Sequence, residues 1–203
     1  MPPYTGNPND VDPATLGDTL KGSCLCGSIK VTITDSELWT KRRGHLCHCA
    51  NCRKVAGSYV ASNFNIEEEK VQIDDDNQVL KKFIDKNTGS GKPVDRYFCS
   101  TCGCPVKSIT PLLPGRVIVK MGMFPRIPAP EWETFALHRH DWQGKHEGVV
   151  QWRIKVGEEQ LIHSSNITPR SFCSAWFTTP APHPAQARLG KSLVSQSRVP
   201  DRS

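Results

Sequence analysis

The stretch that decides the fold is Gly44-His45-Leu46-Cys47-His48-Cys49-Ala50-Asn51-Cys52-Arg53-Lys54, which carries three cysteines within six positions. Thiolates on one tight turn converge readily on a single ion, and tetrahedral zinc is the metal that suits such a set. Two similar clusters flank this stretch, Cys24-Leu25-Cys26-Gly27 and Cys99-Ser100-Thr101-Cys102-Gly103-Cys104. Eight of the nine cysteines lie in these three clusters, so metal binding is the first hypothesis.

The cysteines also indicate in which cellular compartment the protein is expected. The N-terminus lacks the basic and then apolar segments of a secretory signal, and an odd number of cysteines suits a disulfide framework poorly. We therefore expect a reducing compartment, the cytoplasm with the nucleus as the alternative, in which clustered cysteines are metal ligands or catalytic groups. No apolar run approaches the length of a membrane span, so no membrane partner is expected.

The net charge of +6 does not by itself predict a nucleic-acid interface. Residues 164–203 hold five arginine and lysine residues against Asp201 alone, which accounts for four of the six net charges. Most of the excess charge therefore belongs to the C-terminal tail rather than to a folded face.

Short segments of alternating apolar and polar residues indicate half-buried strands. No long segment shows the 3.6-residue period of a helix, so we predict an all-β domain. The predicted strands lie at residues 28–34, 60–66, 71–73, 79–84, 94–98, 105–109, 117–124, 131–138 and 150–156.

Composition divides the chain into three parts. Residues 1–18, rich in Pro, Asn, Asp and Gly, are predicted to be a flexible arm, and residues 19–163 to form the zinc-binding domain. Residues 164–203 are predicted to be a disordered, basic Ser/Pro-rich tail, with local docking of Phe172, Trp176 and Phe177 as the alternative.

Spacing suggests how the cysteines are shared between two ions. Cys24 and Cys26, and Cys99 and Cys102, are pairs that each grip one side of a metal, and a glycine follows the second cysteine of each pair. Two such half-sites normally combine into one site with four cysteines, which leaves no open position and is structural. The alternative is a set of core cysteines without metal.

Cys47, Cys49 and Cys52 then remain as a set of three, the usual layout of a catalytic zinc with one exchangeable position. Cys104 is a candidate fourth ligand that would close this site, or else a free thiol. His48 is either a proton carrier or an exposed loop histidine. Basic neighbours, Arg53 and Lys54 among them, suit the binding of carboxylates, or else form a solvated loop.

Three motifs together resemble the glutathione-dependent formaldehyde-activating enzyme family, which includes the domain of centromere protein V. They are Gly22-Ser23-Cys24-Leu25-Cys26-Gly27, Cys47-His48-Cys49-Ala50-Asn51-Cys52-Arg53-Lys54-Val55-Ala56-Gly57 and Tyr97-Phe98-Cys99-Ser100-Thr101-Cys102-Gly103. The resemblance covers about residues 20–145. It implies an Mss4-like fold of coiled antiparallel sheets that are held together by bound zinc.

The same resemblance implies two zinc ions, a structural one on Cys24, Cys26, Cys99 and Cys102 and a second one on Cys47, Cys49 and Cys52. It also implies formation of S-hydroxymethylglutathione from formaldehyde and glutathione, a carbon–sulfur lyase reaction with glutathione as substrate or co-substrate. At the position of Cys104 the family commonly has a small hydroxyl residue.

The leading functional hypothesis is thus a zinc-dependent carbon–sulfur lyase acting on a glutathione adduct, with a thiol at the open position of the second zinc. The alternative is a non-enzymatic, zinc-stabilised binding module of the centromere protein V type, favoured if Cys104 closes the second site. A third hypothesis is a redox switch built on Cys104 and Cys173.

Overall fold

The structure, a computed structural model, describes residues 6–40 and 44–161. Within these residues the chain forms eleven strands and only two short α-helices, α1 (Pro13–Leu16) and α2 (Ala50–Ala56). The strands are β1 (Thr19–Ser23), β2 (Lys30–Thr34), β3 (Gly44–Cys47), β4 (Ala61–Glu67), β5 (Val71–Asp74), β6 (Leu80–Asp85), β7 (Val94–Cys99), β8 (Pro105–Ile109), β9 (Arg116–Lys120), β10 (Pro130–Thr134) and β11 (Val150–Gln151). The predicted all-β class is confirmed.

The strands form two sheets. β1, β2 and β5 make a three-stranded sheet in the order β1-β2-β5, and the others make an eight-stranded sheet in the order β11-β10-β3-β4-β9-β8-β7-β6. All neighbours are antiparallel except β10, which runs parallel to both β3 and β11. The sheet is therefore mixed at this edge. A short hairpin can join only antiparallel strands, whereas the long segment between β3 and β10 allows these two strands to pair in parallel.

Apolar side chains of both sheets meet in one buried core. Leu20 and Ile33 from the small sheet, and Phe64, Val106 and Val119 from the large sheet, are all fully buried. Burying a side chain of this size stabilises the fold by about 1.5–3 kcal/mol. The alternating burial along β2 and β4 explains why a period of two in the sequence indicated these strands.

The predicted strands are found, and three of them are shorter than expected. The strand expected at 117–124 ends at Lys120, where the 3₁₀ turn Met121–Met123 begins. The strand expected at 131–138 ends at Thr134, because Phe135 takes a left-handed conformation with φ 54° and the 3₁₀ turn Ala136–His138 follows. The strand expected at 150–156 is limited to β11. A third 3₁₀ turn, Glu68–Lys70, separates β4 from β5.

The described part of the N-terminal arm contains a 3₁₀ turn at Pro8–Asp10 and helix α1. The Arg126 guanidinium donates hydrogen bonds to the Pro8 and Val11 carbonyls at 2.7 and 3.1 Å, and Leu16 packs against the core. The arm boundary at residue 18 remains a prediction. The predicted tail at 164–203, with Phe172, Cys173, Trp176 and Phe177, lies outside the described residues.

No helix in the described segments has the length and apolar character needed to cross a membrane.

Candidate metal centres

The first candidate metal centre joins two turns that are far apart in sequence. Cys24 and Cys26 follow β1, Cys99 is the last residue of β7, and Cys102 lies in the turn after it. The four Sγ atoms all lie within 4.8 Å of one another, with 3.5 Å between Cys24 and Cys26 and 3.7 Å between Cys26 and Cys99. The structure therefore brings together the two pairs of thiols that the sequence spacing predicted to form one site.

Local backbone geometry explains this convergence. Gly27 and Gly103 have φ values of 79° and 72°, a left-handed conformation that glycine adopts without a side-chain clash. The Gly27 amide donates to the Cys24 carbonyl at 2.9 Å, and the Gly103 amide donates to the Cys99 carbonyl at 2.8 Å. Each turn is thereby closed so that its two thiols face the same side.

The donor chemistry of this first cluster fits zinc. Four sulfurs with no carboxylate among them are the set that structural zinc prefers, and they leave no position open. Burial raises the pKa of Cys24 to about 12, whereas hydrogen bonds with Ser28 lower the pKa of Cys26 to about 6. Cys24 and Cys99 belong to the buried core, so metal bound at this cluster would join the two sheets from within.

The second candidate metal centre is local to β3 and α2. Cys47 ends β3, Cys49 is the N-cap of α2, and Cys52 lies in the first turn of that helix. The Cys52 amide donates to Cys49 Sγ at 3.3 Å, and the three Sγ atoms lie within 4.8 Å of one another. Within the described residues no fourth Cys, His, Asp or Glu belongs to this group. Three thiols on a tight turn again fit zinc, with one position open.

Helix α2 was not predicted from sequence. Its seven residues are too few for an apolar 3.6-residue repeat to be visible, and none of them is fully buried. Its ends nevertheless carry local signals, since a cysteine side chain caps the N-terminus and Gly57 at φ 61° ends the helix. The helical turn is what places Cys49 and Cys52, three residues apart, on one side.

Cys104 lies with the first cluster and not with the second. Its carbonyl accepts the Cys99 amide at 2.9 Å, and its Sγ lies 3.7 Å from the Pro105 carbonyl oxygen. Burial first, and then the charge of Cys102, Cys99 and Cys26, raises the pKa of its thiol. The alternative in which Cys104 closes the second site is therefore not supported by its position.

Two cations that the sequence analysis did not single out lie near the second cluster. Lys120 on β9 is buried, with 6% of its surface exposed, and its Nζ donates to Asn63 Oδ1 at 2.6 Å. Arg96 on β7 is also buried, at 8% exposure. The available signal was a lone lysine in the most apolar run of the chain, residues 117–124.

These cations act on the thiols. Hydrogen bonds with the Cys47 and Cys49 thiols, and after them the charges of Lys120 and Arg96, lower the pKa of Cys52 to about 2 against the opposing effect of burial. Hydrogen bonds with Cys49 and Cys52 raise the pKa of Cys47. The cluster therefore holds negative charge most readily on Cys52, whose pKa these cations help to lower.

Arg96 also belongs to a hydrogen-bond network that holds α2. Its Nε and Nη2 donate to Asp85 Oδ2 at 2.8 and 2.6 Å, and the Asn51 side-chain amide donates to the same oxygen at 2.8 Å. Burial alone would raise the pKa of Asp85, but the hydrogen bonds from Arg96 and Asn51 lower it. Asn51 also donates to the Asn87 carbonyl at 2.7 Å, so the helix is tied to the end of β6.

His48 is fully buried and does not belong to the group of three thiols. It directly follows Cys47, the last residue of β3. Its Nε2 is 3.4 Å from Glu133 Oε2 on β10, and Glu133 also contacts the side chains of Arg139 and His146. The expected role of His48 as a proton carrier at the metal gains no support from this placement.

The expected carboxylate-binding residues flank the second cluster on α2. Arg53 Nη1 lies 2.7 Å from His140 Nε2, and Lys54 is exposed. The ring of His140 stacks on Trp142 at 5.4 Å between centroids, and Trp142 in turn meets the edge of Tyr59 at 5.4 Å. The basic run Lys41-Arg42-Arg43 lies outside the described residues.

Comparisons with known proteins agree with the motifs. The family model described as "Glutathione-dependent formaldehyde-activating enzyme" matches residues 19–138. Comparison with curated protein sequences gives no match. Among solved structures, a Rhodobacter sphaeroides protein that was a Northeast Structural Genomics target is similar at 18% identity and a TM-score of 0.40, over 51% of this chain and 86% of that one. Because the family model spans more than half of the chain, the protein belongs to the glutathione-dependent formaldehyde-activating enzyme family.

Proposed function

We propose that this protein is a zinc-dependent carbon–sulfur lyase that acts on a glutathione adduct, in the manner of an S-(hydroxymethyl)glutathione synthase. The observation that carries the proposal is the second cluster, in which Cys47, Cys49 and Cys52 converge without a fourth protein ligand among the described residues. A site of three protein ligands accepts an exogenous ligand, whereas a site of four does not.

Zinc bound there would lower the pKa of a thiol that occupies the open position, which makes a sulfur nucleophile available at neutral pH. The chain contributes the three thiolates and, on α2, a guanidinium and an exposed ammonium from Arg53 and Lys54. Glutathione carries two carboxylates, and these two cations next to Cys52 are suited to bind them. The reaction forms or breaks the bond between the glutathione sulfur and the carbonyl carbon of formaldehyde.

The first cluster is assigned a structural zinc on Cys24, Cys26, Cys99 and Cys102, so the proposal requires two ions per chain. This ion would take no part in the reaction, because protein ligands fill all of its coordination positions. A reducing compartment, the cytoplasm or the nucleus, is the environment in which all of these thiols remain available.

The binding-module alternative would gain weight if Cys104 were a fourth ligand at the second cluster. Cys104 lies beside the first cluster, so no observation favours that function over the enzyme.

The test measures exchange between free glutathione and S-hydroxymethylglutathione by two-dimensional NMR, because the adduct also forms without a catalyst. We expect the zinc-loaded protein to accelerate exchange, and Cys49→Ser and Cys52→Ser to abolish the acceleration. Cys104→Ser is the matched control and should keep it. Exchange no faster with the wild-type protein than with buffered zinc alone would refute the proposed activity.

A further inference from the structure

Lys120 is a buried ammonium on the face of the sheet that carries the second cluster. Strand register places Lys120 opposite Asn63 on β4, and Asn63 opposite His45 on β3, two residues before Cys47. Side chains opposite one another on neighbouring strands are about 4.5–5.5 Å apart at Cβ, so this row is continuous. His45 and Cys47 lie on the same face of β3, because residues two apart on a strand share a face.

The polar contact made by Lys120 is to a neutral group. Its Nζ donates to Asn63 Oδ1 at 2.6 Å, and within residues 6–40 and 44–161 no carboxylate lies at ion-pair distance from it. A buried ammonium without an opposite charge is strongly disfavoured. Burial lowers the pKa of Lys120, and the negative charges of the Cys52, Cys47 and Cys49 thiolates oppose this effect.

Arg96 cannot take the place of Lys120 as the compensating charge. Both Nε and Nη2 of Arg96 bind Asp85, so its charge is largely offset by that carboxylate. Of these two buried cations, Lys120 is therefore the one whose charge remains available to the cluster.

We propose that Lys120 makes the open position of the second cluster select an anionic sulfur ligand, a thiolate, over a neutral ligand. This inference rests on the proposed function and goes beyond it, because it assigns ligand selection to one residue. Lys120 is a specificity-determining and positioning residue and does not touch the reacting carbon.

The physical reason is the charge count of the buried site. A divalent ion with three thiolates carries one net negative charge, which the Lys120 ammonium offsets. A thiolate at the fourth position adds another negative charge, while imidazole adds none. Loss of the ammonium should therefore disfavour the thiolate alone, by about tenfold or more.

The experiment uses the full chain with cobalt in place of zinc, so that ligand binding is read from the visible absorption of the ion. 2-Mercaptoethanol and imidazole are titrated at one pH, because neither carries a carboxylate that could meet other basic residues. The variants are Lys120→Met, Lys120→Gln, which keeps a polar contact with Asn63, and Lys120→Arg, which keeps the charge. Lys107→Met is the matched control, a lysine on neighbouring β8 that pairs with Glu68 at 3.7 Å.

We expect Lys120→Met and Lys120→Gln to bind 2-mercaptoethanol about tenfold or more weakly, with imidazole binding unchanged. Lys120→Arg and Lys107→Met should bind both ligands as the wild type does. Wild-type thiol affinity in either uncharged variant overturns the inference and leaves the proposed function standing. Equal weakening for both ligands also overturns it, because Lys120 would then only support packing. A wild-type protein whose cobalt absorption does not respond to the thiol overturns the inference together with the proposed function.

Discussion

The side-chain amide of Asn51 donates to Asp85 Oδ2 at 2.8 Å, and this bond ties the helix that carries Cys49 and Cys52 to β6. The second cluster therefore depends on a contact between residues 34 positions apart. The same carboxylate holds Arg96, so one buried acid orients both the helix and a nearby cation.

Asn51→Ala should weaken the second ion and leave the first unaffected. Loss of a group that supports metal ligands typically costs 10–100-fold in affinity, and we expect a loss of about tenfold. Chelator competition on the zinc-loaded protein measures both ions in one experiment. Asn77→Ala, in an exposed turn, is the control and should release zinc as the wild type does. Equal loss of both ions from Asn51→Ala would contradict the assignment.

Serine at a cysteine of each cluster should separate a structural ion from an exchangeable one. Cys26→Ser should unfold the domain, because metal binding at a closed site is coupled to folding. Cys49→Ser should keep the fold, because the first cluster still joins β1 to β7. Circular dichroism and zinc content per chain measure these effects, with about two ions expected in the wild type. A folded Cys26→Ser protein with full zinc content would show that the first cluster holds no structural metal.

Protonation of Glu133 should lower the free energy of unfolding at acid pH. Burial alone would raise its pKa, but the His48 imidazole 3.4 Å away and hydrogen bonds with Arg139 and His146 outweigh burial and lower it from 4.5 to about 2. A carboxylate whose pKa is lowered in the folded state adds its full contribution to the stability of the fold when the pH is above its ordinary pKa. This contribution is lost as pH falls from about 4.5 towards about 2. The shift corresponds to about 3 kcal/mol.

The measurement is the difference in urea unfolding between the wild type and Glu133→Gln, followed from about pH 6 to about pH 3. Release of zinc affects both proteins alike and cancels in this difference. The wild-type advantage should shrink as pH falls. Glu131→Gln, an exposed position on the same strand, should show no such trend. A constant difference across the range would mean that the folded protein does not lower the pKa of Glu133.

Deletion of residues 1–18 should leave zinc binding intact and lower the melting temperature slightly. It removes two hydrogen bonds from Arg126 and the packing of Leu16 on the core, which together are worth about 1–3 kcal/mol. Differential scanning calorimetry and zinc content per chain measure the two effects. Arg126→Ala in the full chain should reproduce the hydrogen-bond part of the destabilisation. Loss of zinc on deletion would show that the arm belongs to the folded domain.

The candidate metal-binding cysteines were predictable because the information that brings them together is local. Each turn needs only two cysteines, two or three residues apart, and a glycine that can turn left-handed. The strands were predictable for a similar reason, since alternation along one segment reports one buried face. Where the backbone leaves that pattern, as at Phe135, the sequence carried no signal and the predicted strand was too long.

The surroundings of the second cluster depend on tertiary structure alone. The register of β3, β4 and β9 places His45, Asn63 and Lys120 in one row, and no spacing within a single segment encodes that row. The turn after β7 decides that Cys104 stays with the first cluster, because its carbonyl accepts the Cys99 amide. Sequence by itself thus determined which residues can bind metal, through short-range geometry. The tertiary structure decided which charges surround each cluster, because that depends on contacts between strands distant in the chain.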